Sequence, residues 1–302
     1  MRVPCDIKNI YLHMKKKILS LLLLFTVVSF TQAQLIWKIT GNGIKKPSYL
    51  FGTHHLIPIQ FLDSIPGLYK AFNECEKVVG EMVLNNIDAT EKIQQAAIMP
   101  NNLRIDSLLK PADYKLVDTE LKSVLKFGLK DVPILNPTML VTMYELEVYK
   151  KLTGFTDDKQ SDSYFQLVAV QKDKKVIGLE NLDQQIKFLF GSTDYKRQAQ
   201  ILVETVRRKN EMLKEMLQLN KLYKTGKLDQ LVELSKGKGN ITDMTDEEYA
   251  IMVDNRNADW VTKLPQIIKE SSCFIAVGAL HLGGKNGLIK LLQKKGYKVS
   301  PL

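Results

Sequence analysis

Two stretches of this chain share one pattern, and they lie toward its opposite ends. Tyr49-Leu50-Phe51-Gly52-Thr53-His54-His55 is a run of strand-forming residues, then glycine, two residues and histidine. Phe274-Ile275-Ala276-Val277-Gly278-Ala279-Leu280-His281 repeats that order far downstream. Short apolar runs closed by turn residues read as buried strands. Three of the four histidines in the chain fall inside these two stretches. The side chains able to titrate near neutrality or bind a metal are therefore concentrated at two matching strand ends.

The first 33 residues stand apart from the fold. Lys15, Lys16 and Lys17 precede an apolar run from Ile18 to Phe30, and Thr31-Gln32-Ala33 offers small residues for cleavage before Gln34. A bilayer span needs about 20 apolar residues, so this shorter run is expected to be a cleaved export signal and not an anchor. Met14 sits where such a signal begins, which makes Met1–His13 an over-extended start. Cys5 precedes the apolar run and cannot be a lipid-attachment residue. The expectation is an exported protein, periplasmic or secreted, with no transmembrane anchor after cleavage. Residues 34–302 are long enough for a single domain with a sizeable core. The formal charge is +10, but the surplus lysines are scattered and not interleaved with aromatics, so no nucleic-acid partner is expected. Cys75 and Cys273 are either a pair in an oxidising compartment or two buried thiols, and without CxxC spacing they make no zinc knuckle.

The chain is expected to be α/β, with a mixed central sheet built from N- and C-terminal β/α units that carry the paired G-x-x-H motifs. Leu35–Thr40 and Ser48–Thr53 read as a hairpin around Gly41-Asn42-Gly43, Pro66–Glu76 as a short helix, and Lys77–Leu84 as a strand interrupted by Glu81. At the other end, Cys273–Leu280 reads as a strand closed by His281, Leu288–Lys295 as a helix stopped by Gly296, and Tyr297–Val299 as a last strand. Between them, about residues 89–270, lies a large helical insertion. Pro111–Phe127, Pro137–Leu152 and Ala199–Tyr223 have helical periodicity, Val176–Leu179 is a possible strand, and Thr245-Asp246-Glu247-Glu248 is a capping box opening a helix through Trp260.

Open α/β sheets place ligands at the carboxyl ends of their strands, which is where His55 and His281 stand. Gly52 and Gly278 allow the backbone to bend or approach a neighbour there. Strand alternation sends His54 and His55 to opposite faces, so His55 is expected in the site and His54 in support. Glu81 would be costly to bury without a partner. It is either an edge carboxylate or part of the same cleft, where two histidines and a glutamate make a metal set with open positions or, without metal, an acid–base pair. Arg256 lies on the core-facing stripe of its helix with Tyr249, Met252, Val253 and Trp260. It is either an ion-pair partner for Glu81 or Glu180, or a group that stabilises an oxyanion. Asn257 stands beside it as part of the same candidate pair; Asp162, and Glu180 with Gln185, are further candidates, and helix capping alone would explain Glu180. HExxH, G-x-S-x-G and P-loop signatures are missing.

Read together, Phe51-Gly52-Thr53-His54-His55, Asp63-Ser64-Ile65-Pro66, Val78-Val79-Gly80-Glu81, Ser161-Asp162-Ser163-Tyr164, Gly178 through Gln185, Asn255-Arg256-Asn257 and Ala276 through His281 resemble, in order, the blocks of the TraB/GumN family, which includes the animal Tiki proteins. The resemblance implies an α/β fold related to erythromycin-esterase-like and haem-binding proteins. For Tiki-like members it implies metal-dependent proteolysis with manganese or cobalt in preference to zinc. Carried over, it nominates His55, His281 and Glu81 as metal ligands and Arg256 and Asn257 as support, with a peptide or protein as substrate. Met82 and Leu84 depart from the polar residues relatives place after the glutamate. The alternatives are a non-catalytic binder of peptide or haem, or a metal-free His/Glu hydrolase of esterase type.

Overall fold

The computed structural model describes residues 34–84, 89–156, 161–237 and 239–302; the expected export signal lies outside them. Six strands form one mixed sheet: β1 (Ile36–Thr40), β2 (Ser48–Thr53), β3 (Lys77–Gly80), β4 (Lys175–Gly178), β5 (Cys273–Gly278) and β6 (Lys298–Pro301). Their order is β4-β3-β5-β2-β1-β6. The first four run parallel, and β1 is antiparallel to both β2 and β6. Central position explains composition: Cys-Phe-Ile-Ala-Val in β5 and Tyr-Leu-Phe in β2 are buried, as strands covered on both faces require.

Among the described residues thirteen α-helices accompany the sheet: α1 (Leu68–Glu74), α2 (Ala89–Ala96), α3 (Ile105–Leu108), α4 (Pro111–Leu125), α5 (Pro137–Thr153), α6 (Ser161–Gln171), α7 (Leu182–Gly191), α8 (Tyr195–Arg207), α9 (Lys209–Lys224), α10 (Leu228–Ser235), α11 (Asp246–Tyr249), α12 (Asn255–Glu270) and α13 (Leu288–Lys294). One core lies around the sheet and contains Phe51, Phe165, Phe274 and Trp260. A second, built on Leu121, Leu140, Tyr144 and Leu202, joins α4, α5 and α8.

The structure departs from the sequence reading at element ends. The third strand stops at Gly80, four residues short of Leu84, because Gln166 takes over as hydrogen-bond partner. Its Nε2 donates to the Met82 carbonyl at 2.9 Å and its Oε1 accepts the Leu84 N–H at 3.0 Å. Strand β5 stops at Gly278, and a 3₁₀ turn, Ala279–His281, carries the histidine off the strand axis. The helix expected over Ala199–Tyr223 is two helices parted at Arg208 (φ −101°, ψ 30°). The expected capping box at Thr245 is present, but a π turn over Ala250–Asp254 separates α11 from α12. The strand expected at Val176–Leu179 is present as β4, one residue earlier, and forms an edge of the sheet. Cys75 and Cys273 are buried free thiols.

Candidate functional site

The strand register sets the site. Thr53 pairs with Gly278, Gly80 with Ala276, and Gly80 with Gly178. The carboxyl ends of β2, β5, β3 and β4 thus lie side by side, and His54, His55, Glu81, Glu180 and His281 follow those ends within a few residues. The glycines make this closeness possible. A Cβ on Gly52 would stand 3.1 Å from the Cα of Ala279 and 3.2 Å from Leu282, tighter than carbon atoms pack. The Gly278 N–H donates to Glu81 Oε1 at 2.8 Å, and a Cβ there would stand 3.3 Å from the same oxygen.

Arg256 is the hub of the charged groups. Its Nε donates to Glu180 Oε1 at 2.8 Å, and Nη2 donates to Glu180 Oε2 at 2.9 Å and Glu81 Oε2 at 2.5 Å. Nη1 donates to the Met252 carbonyl at 3.0 Å and stands 3.2 Å from His281 Nε2. A guanidinium has five N–H donors, and all five have an acceptor. The ion-pair alternative is the one realised, with both carboxylates, and no donor is left over for a substrate oxyanion. Phe188 and Trp260 lie against the guanidinium, 5.1 and 4.8 Å from its carbon.

Glu180 is not a helix cap. Asn181 caps α7 in a box with Gln184, which frees Glu180 to receive Arg256, Trp260 Nε1 at 2.8 Å and Gln185 Nε2 at 2.7 Å. With a side chain 1% exposed, it is the buried anchor of the cluster. Glu81 is 25% exposed, with Oε1 3.9 Å from His281 Nε2. Burial pushes the Glu81 carboxyl up, but His281, the Arg256 guanidinium and the Gly278 N–H outweigh it and hold it down at about 2.

The tautomer of His281 follows from its neighbour. Asn257 Nδ2 donates to the carbonyls of His281 (3.2 Å) and Asn286 (2.9 Å), so its Oδ1 faces His281 Nδ1 at 2.8 Å as an acceptor. Nδ1 therefore carries the proton and Nε2 the lone pair that meets Arg256. Burial, opposed by Glu81 and reinforced by Arg256, lowers the His281 pKa to about 4. The ring is neutral at pH 7 and packs 4.4 Å from the Trp260 ring. His54 is also pushed down to about 4, by burial and then by His55, while hydrogen bonding with Asn220 acts in the opposite direction. Its Nδ1 accepts the Leu56 N–H at 3.2 Å.

These groups floor a cavity of about 320 Å³. Its polar lining includes His54, His55, Glu81, Gln185, Arg256 and His281, and its walls are apolar, among them Leu219, Leu231, Met252 and Val253. His55 is exposed. A larger hollow of about 910 Å³ beside Tyr149 and Asn220 is lined by Lys221 and Lys224 and by no carboxylate or histidine, so the acid–base groups belong to the smaller one. The side chain of Asp162 lies outside the described residues. Sequence reading missed the roles of Trp260, Phe188, Asn286 and the Met252 carbonyl. Only Trp260 carried a signal, as a buried indole on the stripe of Arg256.

A model of the TraB/PrgY/gumN family matches residues 35–301. The chain belongs to that family. No curated protein and no solved structure matches it. In this TraB/PrgY/gumN member the donor set does not fit the three-ligand metal site expected of His55, His281 and Glu81. Among the described residues, no three His, Cys, Asp or Glu side chains are grouped to hold one ion. The lone pair of His281 Nε2 and one Glu81 oxygen are both turned to a guanidinium, whose charge would oppose a divalent cation there.

Proposed function

We propose that this chain is a hydrolase of peptides or esters whose site is the cavity at the carboxyl edge of the sheet. The observation that carries the reading is the division of labour around Arg256. A saturated guanidinium fixes Glu81 and His281 in place, while the partly exposed Glu81 and the exposed His55 line the open space. A buried ion cluster is weak evidence for stability by itself, and an apolar cavity with a few convergent polar groups of shifted pKa is the usual form of a reactive site.

In this reading His55 takes a proton from a water molecule that lies beside the partly exposed Glu81 carboxylate. The water oxygen attacks the substrate carbonyl carbon, and the proton passes from His55 to the leaving amine or alcohol as the carbonyl–heteroatom bond breaks. Glu81, ionised above about pH 2, is too weak a base for the first step and serves as an oriented anion. Arg256, Asn257 and Glu180 are positioning residues.

The test is hydrolysis of a peptide library and of p-nitrophenyl esters by the mature protein, before and after exhaustive chelation. Activity that survives chelation and is lost in His55→Ala supports the reading. Activity lost to chelator and restored by manganese or cobalt replaces it with the metal-dependent form implied by the sequence resemblance. Tight peptide or haem binding without any product replaces it with a binding protein. The export signal is tested on the same material by N-terminal sequencing, expected to start near Gln34.

A further inference from the structure

The charges on the cavity floor do not balance. Two carboxylates, Glu81 and Glu180, face one guanidinium, Arg256, and the histidine between them is neutral, its lone pair turned to Arg256. No lysine is among the residues lining the cavity. Lys263, further along α12, is held by Asp259 at 2.6 Å and by the Leu179 carbonyl at 2.7 Å. The floor carries one uncompensated negative charge. Glu180 is sealed, so the excess is presented through the partly exposed Glu81, whose Oε1 has a single protein donor, the Gly278 N–H.

We propose that the cavity selects an organic ammonium with a short apolar body, its head on Glu81 Oε1 and its body along Met252, Val253, Leu231 and Leu219. An ammonium in this position supplies the missing charge and a donor for the open oxygen. An anionic ligand meets net repulsion, because the only cation of the floor has no donor to give. The cavity walls next to the floor are apolar, and a partly buried charge pair is screened less than an exposed one. The volume, near the lower end for ligand pockets, suits a short segment. In a peptide the matching group is a free N-terminal amine on an apolar first residue, which sets the first peptide bond beside the floor. This inference rests on the cavity being the substrate site, and it adds the charge and end-group of the substrate.

The experiment measures binding of L-leucinamide and of N-acetyl-L-leucinamide to the full mature chain by calorimetry at pH 7, in low salt with chelator. The two share one side chain and differ in charge at the amine. Leucinamide is expected to bind at least tenfold tighter, with the advantage lost in Glu81→Gln. Equal or tighter binding of the acetylated compound overturns the inference, and so does a preference that survives Glu81→Gln. If that variant fails to fold, the wild-type pair still decides. The fate of the hydrolase reading is separate: a preference for the free amine without any hydrolysis keeps the inference and overturns the hydrolase, whereas equal cleavage of free and acetylated peptides does the reverse.

Discussion

Replacing Arg256 by methionine tests the central claim about the site most directly. The side chains are similar in length, so the change removes charge and donors with little loss of volume. Five hydrogen bonds go, and Glu180, with a side chain 1% exposed, keeps only Trp260 and Gln185 as donors. Removing one member of a buried ion cluster leaves uncompensated charge and costs about 3–5 kcal/mol. For a chain of this size each kcal/mol lowers Tm by about 2–4 °C, so a fall of roughly 6–20 °C is expected. The pH dependence gives a second signature. Without Arg256 the carboxylates repel one another and their pKa values rise in the folded state above the unfolded value. The folded protein then binds more protons than the unfolded chain, and the deficit shrinks as pH falls. Urea unfolding followed by circular dichroism at pH 8 and pH 5.5 measures both effects. The triple variant Arg256→Met, Glu81→Gln, Glu180→Gln is expected to recover most of the loss. A deficit under about 1 kcal/mol at pH 8, or one that grows on acidification, refutes the reasoning.

Wild-type stability is expected to fall between pH 6.5 and 4, because His54 and His281 have folded pKa values of about 4 and the unfolded chain binds their protons first. The full shift of either is on the order of 3 kcal/mol, and His281→Gln should flatten the slope if measured across that window. The depressed pKa of Glu81 adds a further loss from about pH 4.5 down to 2, absent in Glu81→Gln. Nitrogen-15 NMR of the imidazoles should find His281 protonated on Nδ1 at pH 7, and Asn257→Leu should cost about 1–3 kcal/mol by leaving that N–H and two backbone carbonyls unpaired; an Nε2-protonated ring would contradict the assigned geometry. Gly52→Ala should destabilise by about 1–3 kcal/mol, since its Cβ would press on Ala279 and Leu282, and a neutral result would show that β2 and the turn after β5 are free to separate.

Glu81, Arg256 and the histidines were legible because each breaks a local rule: a carboxylate closing an apolar run, an arginine on a core-facing stripe, histidines gathered at strand ends. Such breaks demand a partner, but the partner is chosen by topology. Glu180 shows why local reading stops short. Standing just before a helix, it looked like a cap, and only the capping box of Asn181 and Gln184 releases it toward an arginine 76 residues away. Gln166 is similar: an ordinary helical residue in sequence, it ends β3 by replacing a strand partner. The π turn before Asn255 left no trace at all. It offers the Met252 carbonyl to Arg256 Nη1, and π turns of this kind often mark functional segments.

Hydrogen-bond occupancy separates frame from reagent in this cluster. A donor or acceptor that already has a partner must lose it before touching a substrate, and in a buried cluster that loss costs several kcal/mol. Arg256 has spent all five donors, Asn257 both of its amide hydrogens and its oxygen, and Gln185 its amide on two carboxylates. None can join a reaction cheaply. His281 holds one ring nitrogen on Asn257 and the other on Arg256, so it too belongs to the frame until Arg256 moves. Outside that frame, the cavity lining still holds the partly exposed Glu81 and the exposed ring of His55. A chemistry that needs Arg256 to stabilise an oxyanion, or His281 to bind a metal, therefore requires the guanidinium to leave the glutamates first. Arg256→Lys distinguishes the two cases: three rotatable donors cannot span both carboxylates. If the frame must stay closed the variant loses activity in proportion to stability, whereas a site that works by releasing Arg256 gains turnover as the frame loosens.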